Sequence, residues 1–192
     1  TELGIRIKAV ALPDIADAVR GDSYRKLEQA AKAAGCKVLY LSSGMILQNG
    51  GLTIRCVNPV KGAYIREANE YSACFLLEQE GFQVLLTGDI TGTSEQQMWQ
   101  EIQPYLNSES GFLVWKIAHH GSRFSTPQEF LSNVQPDVAV ISCGAGNSYG
   151  HPHEELLQRL ETTSARIYRT DYHGAIIMEV RRGKVRCRSF LK

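Results

Sequence analysis

Two long apolar runs that meet at a glycine constrain the fold of this chain most strongly. SACFLLEQE (72–80) and FQVLLTGD (82–89) are joined at Gly81, which is typical of a β-hairpin whose second strand is buried. Downstream, apolar strand-like runs alternate with helical runs, the pattern of strand–helix–strand units. The combination predicts an α/β fold with a mixed sheet and helices outside it.

The other elements follow from periodicity and from the Gly and Pro residues at their ends. GIRIKAVALP (4–13) predicts a buried strand. A helix over 23–34 is expected to place Leu27, Ala31 and their neighbours Ala30 and Ala34 on an apolar face, and a second helix covers 94–106. The remaining predicted strands are KVLYL, LTIRCVNP after an Asn-Gly-Gly turn, FLVWKIAHH, DVAVISCG and ARIYRT; the remaining helices are TPQEFLSNV and HPHEELLQRLETT, and a hairpin over 174–190 closes the chain. We find no linker, so residues 1–192 are predicted to form a single domain.

Composition excludes several classes of protein. The formal net charge of +1 gives no global attraction to nucleic acid, so any phosphate contact has to be local. The five cysteines form no CxxC pair, which argues against a zinc knuckle or a thioredoxin-type site. No apolar run approaches the roughly 20 residues of a membrane span.

Two motifs directly after buried strands carry the residues best suited to chemistry. Asp89 of Thr-Gly-Asp follows FQVLL, and the pair His119–His120 of His-His-Gly-Ser follows LVWKIA. A carboxylate and an imidazole at neighbouring strand ends suit a divalent metal, with the second histidine free to move a proton. The alternatives are a strand-end turn in which Asp89 caps a helix, and a surface turn with incidental histidines.

Two further loops have the composition of a cleft wall. In NSYGHPH (147–153) the glycines give a flexible loop, Pro152 is expected to start a helix, and the backbone amides there attract anions. His151 is a functional candidate, and His153 a weaker one; the alternative is a helix-entry turn with solvated histidines. In TDYHG (170–174), His173 is a possible extra ligand.

These motifs together resemble the ComEC family of bacterial DNA-internalisation competence proteins. The segments that carry the resemblance are ANEYS (68–72), LLTGDI (85–90), KIAHHGS (116–122), PDVAVIS (136–142), GAGNSYGHP (144–152) and the pair Thr170 and Gly174. Their order and spacing are similar to those of the family's metallo-β-lactamase-like domain. The resemblance implies an αββα sandwich, incomplete at its N-terminal side.

The resemblance also implies roles for individual residues. It assigns Asp89 and His119 as metal ligands, with His120 and His151 as catalytic groups, although the sequence leaves open which of the two adjacent histidines binds metal. It further implies substrate-binding positions at Asn69, Ser122, Asn147 and Thr170. The expected cofactor is zinc or manganese in the intact parent protein, and the expected partner is single-stranded or duplex DNA.

One family motif is missing from the sequence. Related domains complete their metal site with an HxHxDH-type loop after an early strand, and no such sequence occurs here. The chain is then either the C-terminal part of such a domain or a relative that has lost the loop. We expect the first, with the loop and a membrane channel portion elsewhere in the parent. The parent is expected in a bacterial cell membrane, with this part on the extracytoplasmic side.

Ligand count leads to a first testable prediction. A zinc site normally needs at least three protein ligands, whereas the resemblance supplies two. We expect this chain alone to bind divalent metal weakly or not at all, and to hydrolyse nothing efficiently. Elemental analysis after purification without chelators checks this; a stoichiometric metal would contradict it.

Three functions fit the sequence. The first is hydrolysis of the phosphodiesters of the DNA strand that is not imported. The second keeps the fold and metal but acts on another ester or phosphodiester, since a fold does not fix its substrate. The third is a non-catalytic domain that binds nucleic acid or a partner, for which Arg182, Lys184, Arg186 and Arg188 would form a basic strand face; a solvated edge strand is the alternative.

Overall fold

A computed structural model describes residues 4–63, 67–106, 111–181 and 184–191. The strands are Ala9–Pro13 (β1), Lys37–Leu41 (β2), Ile46–Asn49 (β3), Leu52–Asn58 (β4), Cys74–Gln79 (β5), Phe82–Leu86 (β6), Phe112–Lys116 (β7), Val138–Ile141 (β8), Arg166–Arg169 (β9), Ile176–Arg181 (β10) and Lys184–Ser189 (β11). The α-helices are Asp22–Ala33 (α1), Thr93–Ile102 (α2), Gln128–Val134 (α3), Glu154–Glu161 (α4) and Thr170–His173 (α5), and 3₁₀ turns cover Asp17–Val19, Ala68–Tyr71, Gln103–Tyr105 and Ala118–Gly121.

The main sheet changes direction at its middle strand. In the part of the chain described, seven strands pair in the order β3-β4-β5-β6-β7-β8-β9. Pairing is antiparallel from β3 to β6 and parallel from β6 to β9, because the chain first turns back in hairpins and then returns through α2, α3 and α4. The carboxyl ends of β6, β7, β8 and β9 therefore lie along one edge of the sheet.

The core lies between this sheet and the helices α2, α3 and α4. Trp115 of β7 is fully buried and packs edge-on against Phe130 of α3, with 4.9 Å between ring centroids. Other fully buried side chains from both layers complete it: Leu76, Leu85, Met98, Ile102, Leu131, Ala139, Ile141, Leu156 and Leu160. The mixed sheet with flanking helices confirms the predicted α/β class and is compatible with the predicted αββα sandwich. The metallo-β-lactamase-like assignment and the single-domain boundary stay predictions.

Two small sheets stand beside the main one. β1 and β2 pair in parallel across α1, and β10 and β11 form the predicted closing hairpin. None of the helices in the described residues has the length and apolarity that crossing a membrane requires.

The predicted apolar face of α1 is wrong in part. Leu27 is half exposed, while the neighbouring Glu28 lies on the buried side. The reason is a polar contact: the Glu28 carboxylate accepts hydrogen bonds from the Tyr40 hydroxyl of β2 and from Lys32. The predicted strand over 4–13 is likewise shorter, because β1 begins at Ala9 and the apolar Ile5 and Ile7 before it are exposed.

Candidate functional site

Hydrogen bonds to backbone carbonyls join the two motifs that follow β6 and β7. The Gly88 carbonyl accepts from the His119 amide at 3.0 Å and from Lys116 Nζ at 2.8 Å. The buried Thr87 hydroxyl donates to the Lys116 carbonyl at 2.7 Å. Parallel neighbouring strands thus bring Asp89 and the histidine pair to one place although thirty residues separate them in the sequence.

Asp89 and His120 face each other directly. His120 Nε2 lies 3.4 Å from Asp89 Oδ1, and both side chains are a little under half exposed. The other ring nitrogen, Nδ1, is 2.7 Å from the Ser142 carbonyl oxygen. Because a carbonyl only accepts, Nδ1 carries a proton, and this leaves Nε2 as the nitrogen that faces the carboxylate.

Lys116 is a site residue that the sequence reading missed. Its ammonium is 3.9 Å from Asp89 Oδ1, and burial lowers its pKa while Asp89 opposes that shift. It was overlooked because it ends an apolar strand, where a lysine more often reaches outward to solvent. Its place in the KIAHHGS motif, three residues before His119, is the sequence signal that could have identified it.

The segment 68–72 holds the backbone of Asp89 in place through a hydrogen bond. Ser72 Oγ accepts the Asp89 amide at 3.0 Å, and buried Asn58 donates to the carbonyls of Glu70 and Ser72. Gly88 has φ +51, and a Cβ there would meet Ser72 Cβ at 2.9 Å, so the glycine permits this close approach. The predicted substrate residue Asn69 lies half-buried in this segment. Asp89 does not cap α2, whose N-cap is Gly92 with no side-chain bond.

The histidines gather around this pair. The ring of His151 is 5.6 Å from that of His119 and 6.2 Å from that of His120, measured between centroids. Burial lowers the pKa of His151, and the neighbouring histidines His153, His119 and His120 lower it further, whereas Asp89 raises it. His151 is therefore held toward its neutral form, which can both accept and donate a proton.

The other predicted residues mostly hold loops together. Asn147 donates to the carbonyls of Gly144 and His151 and accepts the His151 amide, so both ends of its amide are used within the loop. Thr170 Oγ1 donates to the Cys143 carbonyl and accepts the Cys143 amide, which ties the loop after β9 to the end of β8.

Two of the remaining polar residues lie inside turns. Ser122 is 2 % exposed, and its hydroxyl accepts the Phe124 amide. His153 Nδ1 accepts the Arg123 amide, and α4 begins only at Glu154 rather than at the expected Pro152. His173 Nδ1 accepts the Arg169 amide, and its ring packs against Tyr168.

The metal-binding capacity of the site depends on how its His, Cys, Asp and Glu side chains are arranged. Among the described residues, no group of three or more His, Cys, Asp or Glu side chains has an arrangement that would hold a metal ion. Two ligands of one tetrahedral zinc, each about 2.1 Å from the ion, are roughly 3.4 Å apart. The Asp89–His120 separation fits one edge of such a site, and within the part of the chain that the structure describes no third donor completes it.

The site and fold define an α/β protein with an acid–imidazole cluster on the parallel edge of its sheet. No family model matches the chain. It is 34 % identical to ComE operon protein 3 of Bacillus subtilis over 79 % of this chain and 19 % of that protein. It is 31 % identical to Recombination protein 2 of Haemophilus influenzae over 66 % of this chain, and 34 % identical to Competence protein ComA of Neisseria gonorrhoeae over 55 %.

These relatives indicate a competence-related family, in agreement with the resemblance seen in the sequence. The chain spans less than a fifth of the length of each of the three, from 15 % to 19 %.

A glycine substitution tests the packing of the histidine turn. Gly121 has φ +86, and an added Cβ would lie 2.6 Å from Pro152 Cβ. We expect Gly121→Ala to lower the free energy of unfolding by about 1–3 kcal/mol, because both the backbone conformation and the space oppose a side chain. Urea unfolding measures it. Gly144→Ala, which meets nothing within 4 Å, is the control and should change stability by under about 0.5 kcal/mol.

Glu95 of α2 anchors the loop that follows the histidine turn, and its burial leads to a prediction about pH. It is 1 % exposed, accepts the Thr126 amide at 2.7 Å, and burial raises its pKa to about 8 from an ordinary 4.5. An acid with a raised pKa binds its proton more tightly in the folded chain. Its contribution is therefore complete below the unfolded pKa and is lost as pH rises through the folded one.

We expect Glu95→Gln to keep the Thr126 bond and remove this pH dependence. The free energy of unfolding of the variant relative to the parent should rise between pH 5 and pH 8 by a few kcal/mol, on the order of the pKa shift. Urea titrations at three pH values measure the difference. The exposed Glu129→Gln controls for charge loss, and a pH-independent difference for Glu95→Gln would refute the assignment.

Proposed function

We propose that this chain is part of a metal-dependent phosphodiesterase domain in a bacterial DNA-uptake protein. The observation that carries the proposal is the 3.4 Å contact between His120 Nε2 and Asp89 Oδ1. The competence-related relatives support the uptake role. A membrane location of the parent, with this part on the extracytoplasmic side, belongs to the same proposal.

The contact between His120 Nε2 and Asp89 Oδ1 is suited to holding a cation. Nε2 faces a carboxylate oxygen while Nδ1 donates to Ser142, so the pair attracts only if a proton or a metal ion lies between nitrogen and oxygen. Hydrogen bonding of the far nitrogen to a carbonyl is the usual way in which a ligating histidine is oriented. These features favour His120 over His119 as the ligand. The Nδ1 atom of His119 is buried and has no hydrogen-bond partner among the described residues.

The remaining ligands would come from the parent protein. Two donors are too few for a tight zinc or manganese site, and the relatives are more than five times as long as the matched region. When bound, such a metal supplies a polarised phosphate and an activated water. Around it, this chain would orient Asp89 through Ser72, place the Lys116 charge beside the carboxylate, and offer neutral His151 for proton movement.

Other substrates fit the same geometry. Nothing in the contacts of Asp89 and His120 distinguishes a DNA phosphodiester from another ester.

A non-catalytic role is favoured by one observation, an exposed basic face of β11. Lys184, Arg186 and Arg188 form this face, and Arg188 pairs with Glu179. Arg182, predicted on that face, lies outside the described residues.

Cleavage by the intact parent protein tests the proposal. We expect Asp89→Asn and His120→Asn each to lower DNA cleavage at least a hundredfold and to lower bound metal, because each removes one ligand. Rates on labelled oligonucleotides, with elemental analysis of the same samples, measure both effects.

The exposed Asp22→Asn of α1 is the matched control and should cleave like the parent. A loss of metal in His119→Asn but not in His120→Asn would reverse the ligand assignment. Full cleavage by Asp89→Asn would refute the proposal.

A further inference from the structure

Two strongly exposed tyrosines lie on the segments that follow β8 and β9, Tyr149 in a loop and Tyr172 in the short helix α5. Tyr149 is 78 % exposed and Tyr172 is 64 % exposed. Each ring has one supported face: His151 stacks on Tyr149 with 5.8 Å between centroids and 20° between planes, and the Arg169 guanidinium lies 4.3 Å from the Tyr172 centroid. High exposure with one face packed leaves the opposite face of each ring open to a planar group.

The supports are themselves fixed. Arg169 is held by an ion pair with Asp171, 2.6 Å between Nη2 and Oδ2, and Asn147 bonds across the loop that carries Tyr149. The paired hydrogen bonds between Thr170 and Cys143 connect the two loops. Rings held in this way lose little conformational freedom on binding, which is the condition for a stacking platform.

The tyrosines continue the row of functional groups along the sheet edge. Asp89 follows β6, His120 follows β7, Tyr149 follows β8 and Tyr172 follows β9. Neighbouring strands are about 4.8 Å apart, so the axes of β6 and β9 are separated by roughly 14 Å. That length corresponds to a few nucleotides, given a rise of about 3.4 Å for each in a stacked strand.

We propose that Tyr149 and Tyr172 form a base-stacking platform that binds single-stranded nucleic acid next to the Asp89–His120 pair. This proposal rests on the proposed function and adds that the substrate is bound as a single strand. Open aromatic faces take unpaired bases, whereas the bases of a duplex are already stacked on one another. Every base has such a face, so the platform is expected to bind with little sequence preference.

Binding to the chain as it stands, with EDTA present, tests the platform without requiring hydrolysis. The probes are a fluorescein-labelled oligothymidine of fifteen nucleotides and a duplex of equal length, followed by anisotropy at fixed low salt. We expect Tyr149→Ala and Tyr172→Ala each to weaken single-strand binding about tenfold, which is typical of one lost base–aromatic stack. Phe at either position should restore it, and duplex binding should change less than twofold.

Tyr105 is the matched control. It is also exposed and also covered by an arginine, Arg55 at 3.6 Å, but its carbonyl accepts from Gln83 at the amino end of β6. Tyr105→Ala should leave binding unchanged.

Three results would overturn the platform: no binding of the single strand, parental affinity in both Ala variants, or equal losses for duplex and single strand. Loss of binding only when Lys184, Arg186 and Arg188 become Gln would assign the contact to β11 instead. Hydrolysis stands apart from these results, because it is judged by Asp89→Asn in the cleavage assay.

Discussion

The hydrogen bonds to the Gly88 carbonyl determine the rest of the site. One comes from the His119 amide and the other from Lys116 Nζ, so the ends of β6 and β7 are joined at the backbone. Because the His119 amide and the Gly88 carbonyl are both main-chain groups, the backbone positions of Asp89 and His120 are set by the pairing of the two strands. The sheet thereby preorganises the acid–imidazole pair before any ligand arrives.

This arrangement has a conformational cost. His119 and His120 both have left-handed backbone angles, φ 48 and 55, which are uncommon outside glycine and cost on the order of 1–3 kcal/mol each. The turn is retained because its bonds oppose that cost: Ser122 donates to the His119 carbonyl, His153 donates to the Gly121 carbonyl, and His120 is held at Ser142. Two consecutive strained residues with such support are characteristic of a functional turn.

The sequence predicted the central sheet well because its strands are buried on a regular pattern. The hairpin at Gly81 and the strands that end at Asp89 and His119 are observed close to their expected places. β3 was not predicted, since all four of its residues are exposed and it is defined only by backbone pairing with β4. The exposure of Leu27 depends on the Tyr40–Glu28 contact, which no helical periodicity encodes.

The candidate site was predictable in its parts but not in its connections. Residues at the ends of adjacent parallel strands share an edge, so Asp89 and the histidine pair were expected together. Their partners were not, because the motifs that contain Ser72, Ser142 and Lys116 do not show which tertiary hydrogen bonds these residues make.

The electrostatics of Asp89 bear on the proposed metal site. Its carboxylate already has an ammonium at 3.9 Å and an imidazole nitrogen at 3.4 Å. A divalent ion held by Asp89 and His120 alone would meet the positive charge of Lys116 without the compensation of a third donor. Once further ligands have neutralised the repulsion between Lys116 and the metal ion, the positive charge of Lys116 favours a phosphate anion beside Asp89 and His120. In the proposed function, metal and phosphodiester binding therefore depend on donors beyond the described residues, while the orientation of Asp89 and His120 is built into the sheet.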